Sequence, residues 1–289
     1  MTNELSSESW PSRLGRFGVW RSSRTLDPAL ASELEELGYG TLWIGGAPGN
    51  LQLAEAALDA TTTLVVATGI VNIWTDPASE VAAAFHRVSA AHPRRLLLGI
   101  GVGHPERVGA AAERPFDALV RYLDELDLRG VPAADRVIAA LGPRMLRLAA
   151  ERAAGAHPYL VTPAHTREAR ALLGMRAVLA PEQRVVLRSD PVEARTVGRP
   201  TVQTPYLGFV NYRNSLLRLG YDESELDGGG SDRLIDDLVV SGDPATIARR
   251  LGAHLAAGAD HVAVQLIGDD ATREDYAELA DALSLTRAA

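Results

Sequence analysis

Leu64-Val-Val-Ala-Thr-Gly-Ile70 is a short apolar run rich in β-branched residues; Asp76-Pro77 then opens a helical pattern that lasts to His92, and Arg95-Leu-Leu-Leu-Gly-Ile-Gly101 is the next apolar run. The aspartate supplies a cap, and the proline sits in the first turn, where its missing N–H costs no hydrogen bond. Run, helix, run at this spacing is how two parallel strands and their crossover helix read in a sequence. The same unit recurs on both sides. Upstream, Arg16–Trp20 is a first strand followed by the helical stretch Asp27–Leu37, and Thr41–Gly45 a second followed by Leu51–Thr61. Downstream, Phe116–Leu128 is the helix after Gly101, Arg136–Leu141 a fifth strand with its helix at Pro143–Ala154, and His157–Thr162 a sixth with Thr166–Leu173, capped at Thr166. Arg184–Arg188 is a seventh strand, with a helix opened by Asp190-Pro191. Asp243-Pro244 opens a helix to Ala257, His261–Ile267 is the eighth strand, and Thr272–Ala282 a last helix.

Eight strands, each followed by a helix, predict an α/β fold of the (β/α)8 barrel kind, which takes ~250 residues plus insertions. The alternative is a doubly wound open sheet with a dinucleotide site. Its glycine fingerprint is missing: Gly99, Gly101 and Gly103 begin a match, but His104 stands where the last glycine is required. The expected organisation is a poorly ordered tail over residues 1–14, one barrel domain over 15–289, and an insertion or lid at 198–230 after the seventh strand, where the pattern is interrupted by aromatic residues and then an acidic, glycine-rich loop.

The chain has 289 residues, 46% hydrophobic and 23% charged, a net charge of -8 and no cysteine. Disulfides, thiolate metal sites and cysteine nucleophiles are therefore excluded. All 29 basic residues are arginine, which removes phosphate-loop lysines, lysine Schiff bases and a lysine general base. Nucleic acid is not an expected partner, because a polyanion needs a clustered cationic face. The apolar stretches fall short of the ~20 residues that span a bilayer, and residues 1–11 lack a signal-peptide pattern, so the expectation is a cytoplasmic protein away from membranes. No metal site is expected.

Barrel chemistry sits at the C-terminal ends of strands. Those positions here carry Trp20, Gly45, Gly69 to Trp74, Gly103 to Glu106, Gly142, Arg144, Tyr159, Arg188 and Gln265. They are rich in glycine and aromatics and poor in carboxylates, which suits a flat cofactor approached by backbone more than a hydrolytic acid–base pair. No nucleophile elbow or zinc-protease helix is present.

Three segments, Thr68-Gly-Ile-Val-Asn-Ile-Trp-Thr-Asp-Pro77, Leu96-Leu-Leu-Gly-Ile-Gly-Val-Gly-His104 and Ala139-Ala-Leu-Gly-Pro-Arg-Met145, resemble the luciferase-like monooxygenase superfamily, and within it the actinobacterial branch of oxidoreductases that use the deazaflavin coenzyme F420. The resemblance runs from Gly15 to the last helix. It implies a non-prolyl cis bond at Gly69–Ile70 behind the deazaflavin ring, with Asn72 as a polar contact to the ring and Trp74 as a pocket wall. It places Val102 and Gly103 beside the cofactor's pyrimidine ring and side chain, and the cofactor phosphate at Gly142. In the absence of lysine, Arg144 or Arg188 is then the expected cation. Relatives carry a hydroxyl where this chain has Val102 and a carboxylate where it has His104. His104, whose imidazole titrates near neutrality, is the first candidate proton donor, with Glu106 and Tyr159 after it. Trp20, Trp43 and Tyr206 join Trp74 as expected substrate-pocket walls.

Tyr206, Phe209, Tyr212 and Leu216 repeat at helical spacing, a stripe that packs as core or at a subunit interface; a homodimer is the assembly it allows, and the family likeness places this insertion over the barrel mouth. The expected activity is hydride transfer between coenzyme F420 and a small organic substrate. The alternatives are an FMN-dependent monooxygenase using molecular oxygen, which uses the same pocket, and a barrel that binds cofactor or partner without turnover.

Overall fold

Apolar runs become strands where both faces are buried, and a computed structural model describes residues 9–103, 114–268 and 271–286 of this chain. The strands are β1 Phe17–Ser22, β2 Thr41–Gly45, β3 Val65–Thr68, β4 Val71–Asn72, β5 Leu96–Gly101, β6 Arg136–Ile138, β7 Gly155–Ala156, β8 Val178–Leu179, β9 Glu182–Val186, β10 Val239–Ser241 and β11 Val262–Leu266. Every pairing is parallel, in the order β10-β9-β11-β1-β2-β3-β5-β6-β7-β8, with β4 extending the line of β3 along β5. The ring closes through the stretch that holds β8 and β9. On one edge Ala180 N donates to Ala156 O (3.0 Å) and Glu182 N to Pro158 O (2.8 Å); on the other Asp260 N donates to Leu179 O and Ala263 N to Pro181 O (both 2.9 Å). With β3–β4 and β8–β9 each counted as one stave and the short β10 set aside, eight staves make the expected barrel. β10 lies along the C-terminal part of β9, with Val239 opposite Arg184.

Helices follow the staves and bury one face each. Ala78–Ala91 turns Val81, Phe85 and Val88 inward, and Pro115–Leu128 does the same with Leu119, Leu123 and Leu126. Prolines occupy the first turns at Pro115, Pro143, Pro163, Pro191 and Pro244, and Asp190 and Asp243 accept backbone N–H bonds as caps. These side chains form the outer core. The barrel interior is smaller and mixed: Val65, Ala67, Leu97, Val137, Val178 and Ala263 surround Trp43, closed at the N-terminal end by Trp10 and Leu14.

Four expectations shift. Trp10–Leu14, within the stretch expected as a poorly ordered tail, is a helix with both ends buried; its Trp10 indole donates to Ala134 O at 2.6 Å. The sixth stave is Gly155–Ala156, its ladder continued by His157 N to Ile138 O and Glu182 N to Pro158 O, and the rest of the apolar stretch to Thr162 leaves the sheet, where Leu160 adopts a positive φ of 54°. Gly155 is there because a Cβ would stand 1.9 Å from Val178 O. The seventh stave begins at Val178, hidden in the sequence by the polar triplet Glu182-Gln183-Arg184. Finally, Thr162 caps the helix Pro163–Leu173 by accepting from His165 N, while Thr166 lies inside it. Residues 198–203 complete the helix Pro191–Gln203, and the interruption proper is a turn at Tyr206–Gly208 followed by short helices Val210–Arg218 and Glu223–Leu226. This segment has its own core of Val202, Leu207, Phe209, Tyr212 and Leu216 against Leu160 and Val186.

Candidate functional site

The C-terminal ends of β3, β5 and β6 form one wall. The Gly69–Ile70 bond is cis, as expected, and the chain then returns to the sheet as β4. Glycines on β5 let Ile70 lie close: a Cβ on Gly101 would meet Ile70 Cγ1 at 3.1 Å and Ala139 Cβ at 2.9 Å. Asn72 Oδ1 accepts from Trp74 N (3.1 Å), and the Trp74 indole donates to Val102 O (2.8 Å). Gly103, at φ 53°, leaves its missing side chain to the Asn72 amide, whose Nδ2 would be 2.7 Å from a Cβ there. Ile70, Asn72, Trp74, Val102 and Gly103 are thus brought together, half-buried, on a surface largely free of side-chain bulk.

A second group abuts it from inside. Trp20 covers Gly45 and Gly69, where a Cβ would meet its ring atoms at 1.9 and 2.8 Å. Its indole N–H is buried without a partner among the described residues, as is His157 Nε2, 3.1 Å from the same point at Gly69. The His157 Nδ1 bonds Ala180 O at 2.6 Å; burial drives its pKa down to about 4, so the ring is neutral and Nε2 is an acceptor. Trp20 packs on Tyr159 (5.2 Å between centroids), and Tyr159 on Tyr206 of the insertion (5.6 Å). The Tyr159 hydroxyl donates to Gln265 Oε1 (2.8 Å) and accepts from Arg184 (3.0 Å).

Beside this group lies Glu182, fully buried, with one oxygen accepting from Leu160 N at 2.8 Å. Burial pushes its pKa up to about 7 against the pull of Arg184. The sequence reading missed Glu182 and Arg184. Their signal was available: two opposite charges two residues apart, on one face of a strand that is otherwise Val and Ala.

Trp43 is a correction. It has no exposed surface, stacks on His157 at 4.0 Å and donates to His261 Nε2 at 3.0 Å, so it is interior packing and not a substrate wall. The reason is its position on β2, pointing into the barrel below the mouth.

The third group is at β6. Gly142 is the N-cap of Pro143–Arg152 with no side-chain cap, and a Cβ on it would meet nothing within 4 Å. A helix start of this kind offers unpaired N–H groups and a positive dipole end to an anion. Arg144 does not lie over it: the guanidinium stacks 3.5 Å from the Phe116 ring and pairs with Asp117 at 3.8 Å. Arg188 is exposed and donates to Leu187 O, with no described contact to Gly142. The cation that reaches this corner is Arg218 of the insertion, which donates to Leu141 O at 3.3 Å beside His165 Nε2 at 2.9 Å. No sequence pattern pointed to it. His104 and Glu106 lie outside the described residues.

Among the described residues no helix is long and apolar enough to cross a membrane, and no group of three or more His, Asp or Glu side chains is arranged to hold a metal ion. No family profile matches the sequence, and no curated protein does. Solved structures do match in shape. A F420-dependent secondary alcohol dehydrogenase in complex with an F420–acetone adduct superposes with a TM-score of 0.72 at 14% identity over 94% of this chain and 99% of its own. The coenzyme F420 dependent tetrahydromethanopterin reductase from Methanopyrus kandleri gives 0.70 at 15% identity over 93% and 98%. The oxygenating constituent of 3,6-diketocamphane monooxygenase from Pseudomonas putida, in complex with FMN, gives 0.63 at 15% identity over 93% and 96%. At the level of fold, the resemblance drawn from the sequence holds: this chain is a barrel of the kind shared by F420-dependent oxidoreductases and an FMN monooxygenase.

Proposed function

We propose that the protein is an oxidoreductase that binds the deazaflavin coenzyme F420 at the C-terminal mouth of its barrel and passes a hydride between that cofactor and a small organic substrate. The observation that carries this reading is the wall made by Gly69 to Asn72 against Gly101, Val102 and Gly103, which continues along β6 to the open helix start at Gly142. A flat ring with carbonyl edges fits the first part, and an anionic side chain fits the second. Asn72 Nδ2 and backbone at Val102 and Gly103 would hold the ring, and the N–H groups at Gly142 with Arg218 would hold the phosphate; Arg144 is turned aside on Phe116. Deazaflavin supplies the hydride chemistry when bound. The protein orients the substrate, excludes water with the Tyr206–Tyr212 face of the insertion, and places a proton at the Tyr159 hydroxyl. His104 and Glu106, outside the described residues, stand as further candidate donors.

An absorbance titration with coenzyme F420 and, in parallel, FMN tests the reading. Binding of F420 in preference to FMN is the result expected on this reading. Tight FMN binding with no F420 binding overturns it in favour of the monooxygenase, and F420 binding without redox turnover of any substrate pool favours a binding protein.

A further inference from the structure

β9 carries three consecutive polar residues, Glu182, Gln183 and Arg184, all essentially without exposed surface. Strand alternation sends Gln183 outward, where it bonds His254 Nε2 and Leu238 O at 2.8 Å each, and sends Glu182 and Arg184 into the barrel. The two ends of the Arg184 fork do different things. Nη1 donates to the Thr201 carbonyl and lies 3.1 Å from the Thr201 hydroxyl, at the entry to the insertion; Nη2 donates to the Tyr159 hydroxyl at 3.0 Å. Its guanidinium carbon is 5.3 Å from the Tyr159 ring centre and 4.8 Å from that of Tyr206. A rigid planar fork can fix two partners relative to one another, which a lysine cannot.

We propose that Arg184 is the positioning residue for Tyr159, fixing its hydroxyl to the base of the insertion, and that the substrate presents a carbonyl oxygen to that hydroxyl. This rests on the hydride-transfer reading above. In the reducing direction, a hydride from the reduced deazaflavin forms the new C–H bond at the carbonyl carbon as the C=O π bond breaks, and the carbonyl oxygen takes the phenolic proton as the Tyr159 O–H bond breaks. The products are an alcohol, the oxidised cofactor and a tyrosinate beside the Arg184 cation; a solvent proton restores the phenol. Burial raises the Tyr159 pKa well above its ordinary value, Glu182 and Tyr206 push the same way, and Arg184 opposes them. The Gln265 Oε1 accepts the hydroxyl's hydrogen bond until a substrate oxygen replaces it.

The test is a double-mutant cycle of Arg184→Lys and Tyr159→Phe, with reduced coenzyme F420 as donor and cyclohexanone and benzaldehyde as probe acceptors. R184K is expected to lower kcat about 10- to 100-fold with a smaller change in KM, as loss of acid positioning does. In the Y159F background it adds no further loss of kcat. In the cofactor-free protein, ultraviolet resonance Raman of Tyr159, taken as the difference from Y159F, shows a changed phenol hydrogen bond in R184K. Additive losses or an unchanged Tyr159 spectrum overturn the proposal. If R184K does not fold, Thr201→Val, which loosens the other end of the fork, carries the same cycle: a smaller kcat loss, silent in Y159F, is expected, and no loss or a persistent one overturns it. Cofactor titration separates the two readings. Protein that binds F420 but reduces neither probe sinks the carbonyl assignment, whereas protein that does not bind F420 sinks the pocket reading and leaves the Raman result to decide the role of Arg184.

Discussion

Replacing Gly142 by aspartate separates folding from binding at the proposed phosphate seat. Gly142 has φ −91° and ψ 160°, backbone that any residue adopts, and a Cβ there meets nothing within 4 Å. Aspartate is also a better N-cap than glycine by a few tenths of a kcal/mol, so stability is expected to stay level or rise slightly. Affinity for a phosphate-bearing cofactor moves the other way. A carboxylate ~5–6 Å from a phosphate, at the effective dielectric of a half-buried site, repels it by ~1–3 kcal/mol. Neutralising the helix start removes a further ~0.3–1 kcal/mol. At ~1.4 kcal/mol per decade, Gly142→Asp should weaken coenzyme F420 binding about 10- to 700-fold, with the penalty shrinking as salt rises. Gly142→Asn caps equally well without charge and should bind within about threefold of wild type by the same arithmetic. Fluorescence titration of the cofactor and thermal melting of the apoprotein read the two quantities independently. A melting temperature that holds together with an unchanged dissociation constant in Gly142→Asp refutes the phosphate seat.

Two further outcomes concern the interior. Burial holds His157 and His261 at about 4 and His254 at about 3, each below an ordinary value of 6.5; the unfolded chain takes up those protons first, so their stability contribution is present above pH ~6.5 and lost as the pH falls toward ~4. Glu182, raised from 4.5 to about 7 by burial, acts in the opposite sense, losing stability as pH rises through that range. Three imidazoles outweigh one carboxyl, and the net slope is ~2 kcal/mol per pH unit between pH ~5 and ~6; urea unfolding at pH 5, 6 and 7 checks this, and equal midpoints contradict it. Trp43→Ala is expected to cost ~3–5 kcal/mol through the cavity beside His157 and the unpaired His261 Nε2, whereas a loss below ~1 kcal/mol in the same denaturation assay would remove Trp43 from the interior core.

Barrel class was legible because it depends on local, repeated signals. An apolar run such as Leu96–Gly101 and a capped amphipathic helix such as Ala78–Ala91 need no distant partner to be recognised. The sixth and seventh staves were misjudged for the opposite reason. His157–Thr162 is apolar because it packs under the insertion, and β9 is polar because Glu182 and Arg184 face a mixed interior, so hydrophobicity and strand position part company there. The wall residues Gly69, Ile70, Asn72, Val102 and Gly103 were found together because they lie at the ends of neighbouring strands. Arg218 and Arg184 were not, since each reaches its partner across the chain, over 77 residues to Leu141 and 25 to Tyr159.

By itself the sequence determined the parallel βα rhythm and the missing lysine and cysteine chemistries, which are properties of residue type and spacing, and its resemblance to a known family implied the cis bond at Gly69–Ile70. Tertiary structure alone decided that Arg218 is the arginine that reaches Leu141 O beside the Gly142 helix start, that Trp43 is core while Trp20 covers Gly69, and that Tyr159 shares a guanidinium with the insertion. Those are questions of which side of a strand a residue occupies and what stands opposite it, and only the closed ring of staves brings both sides of the answer within bonding distance.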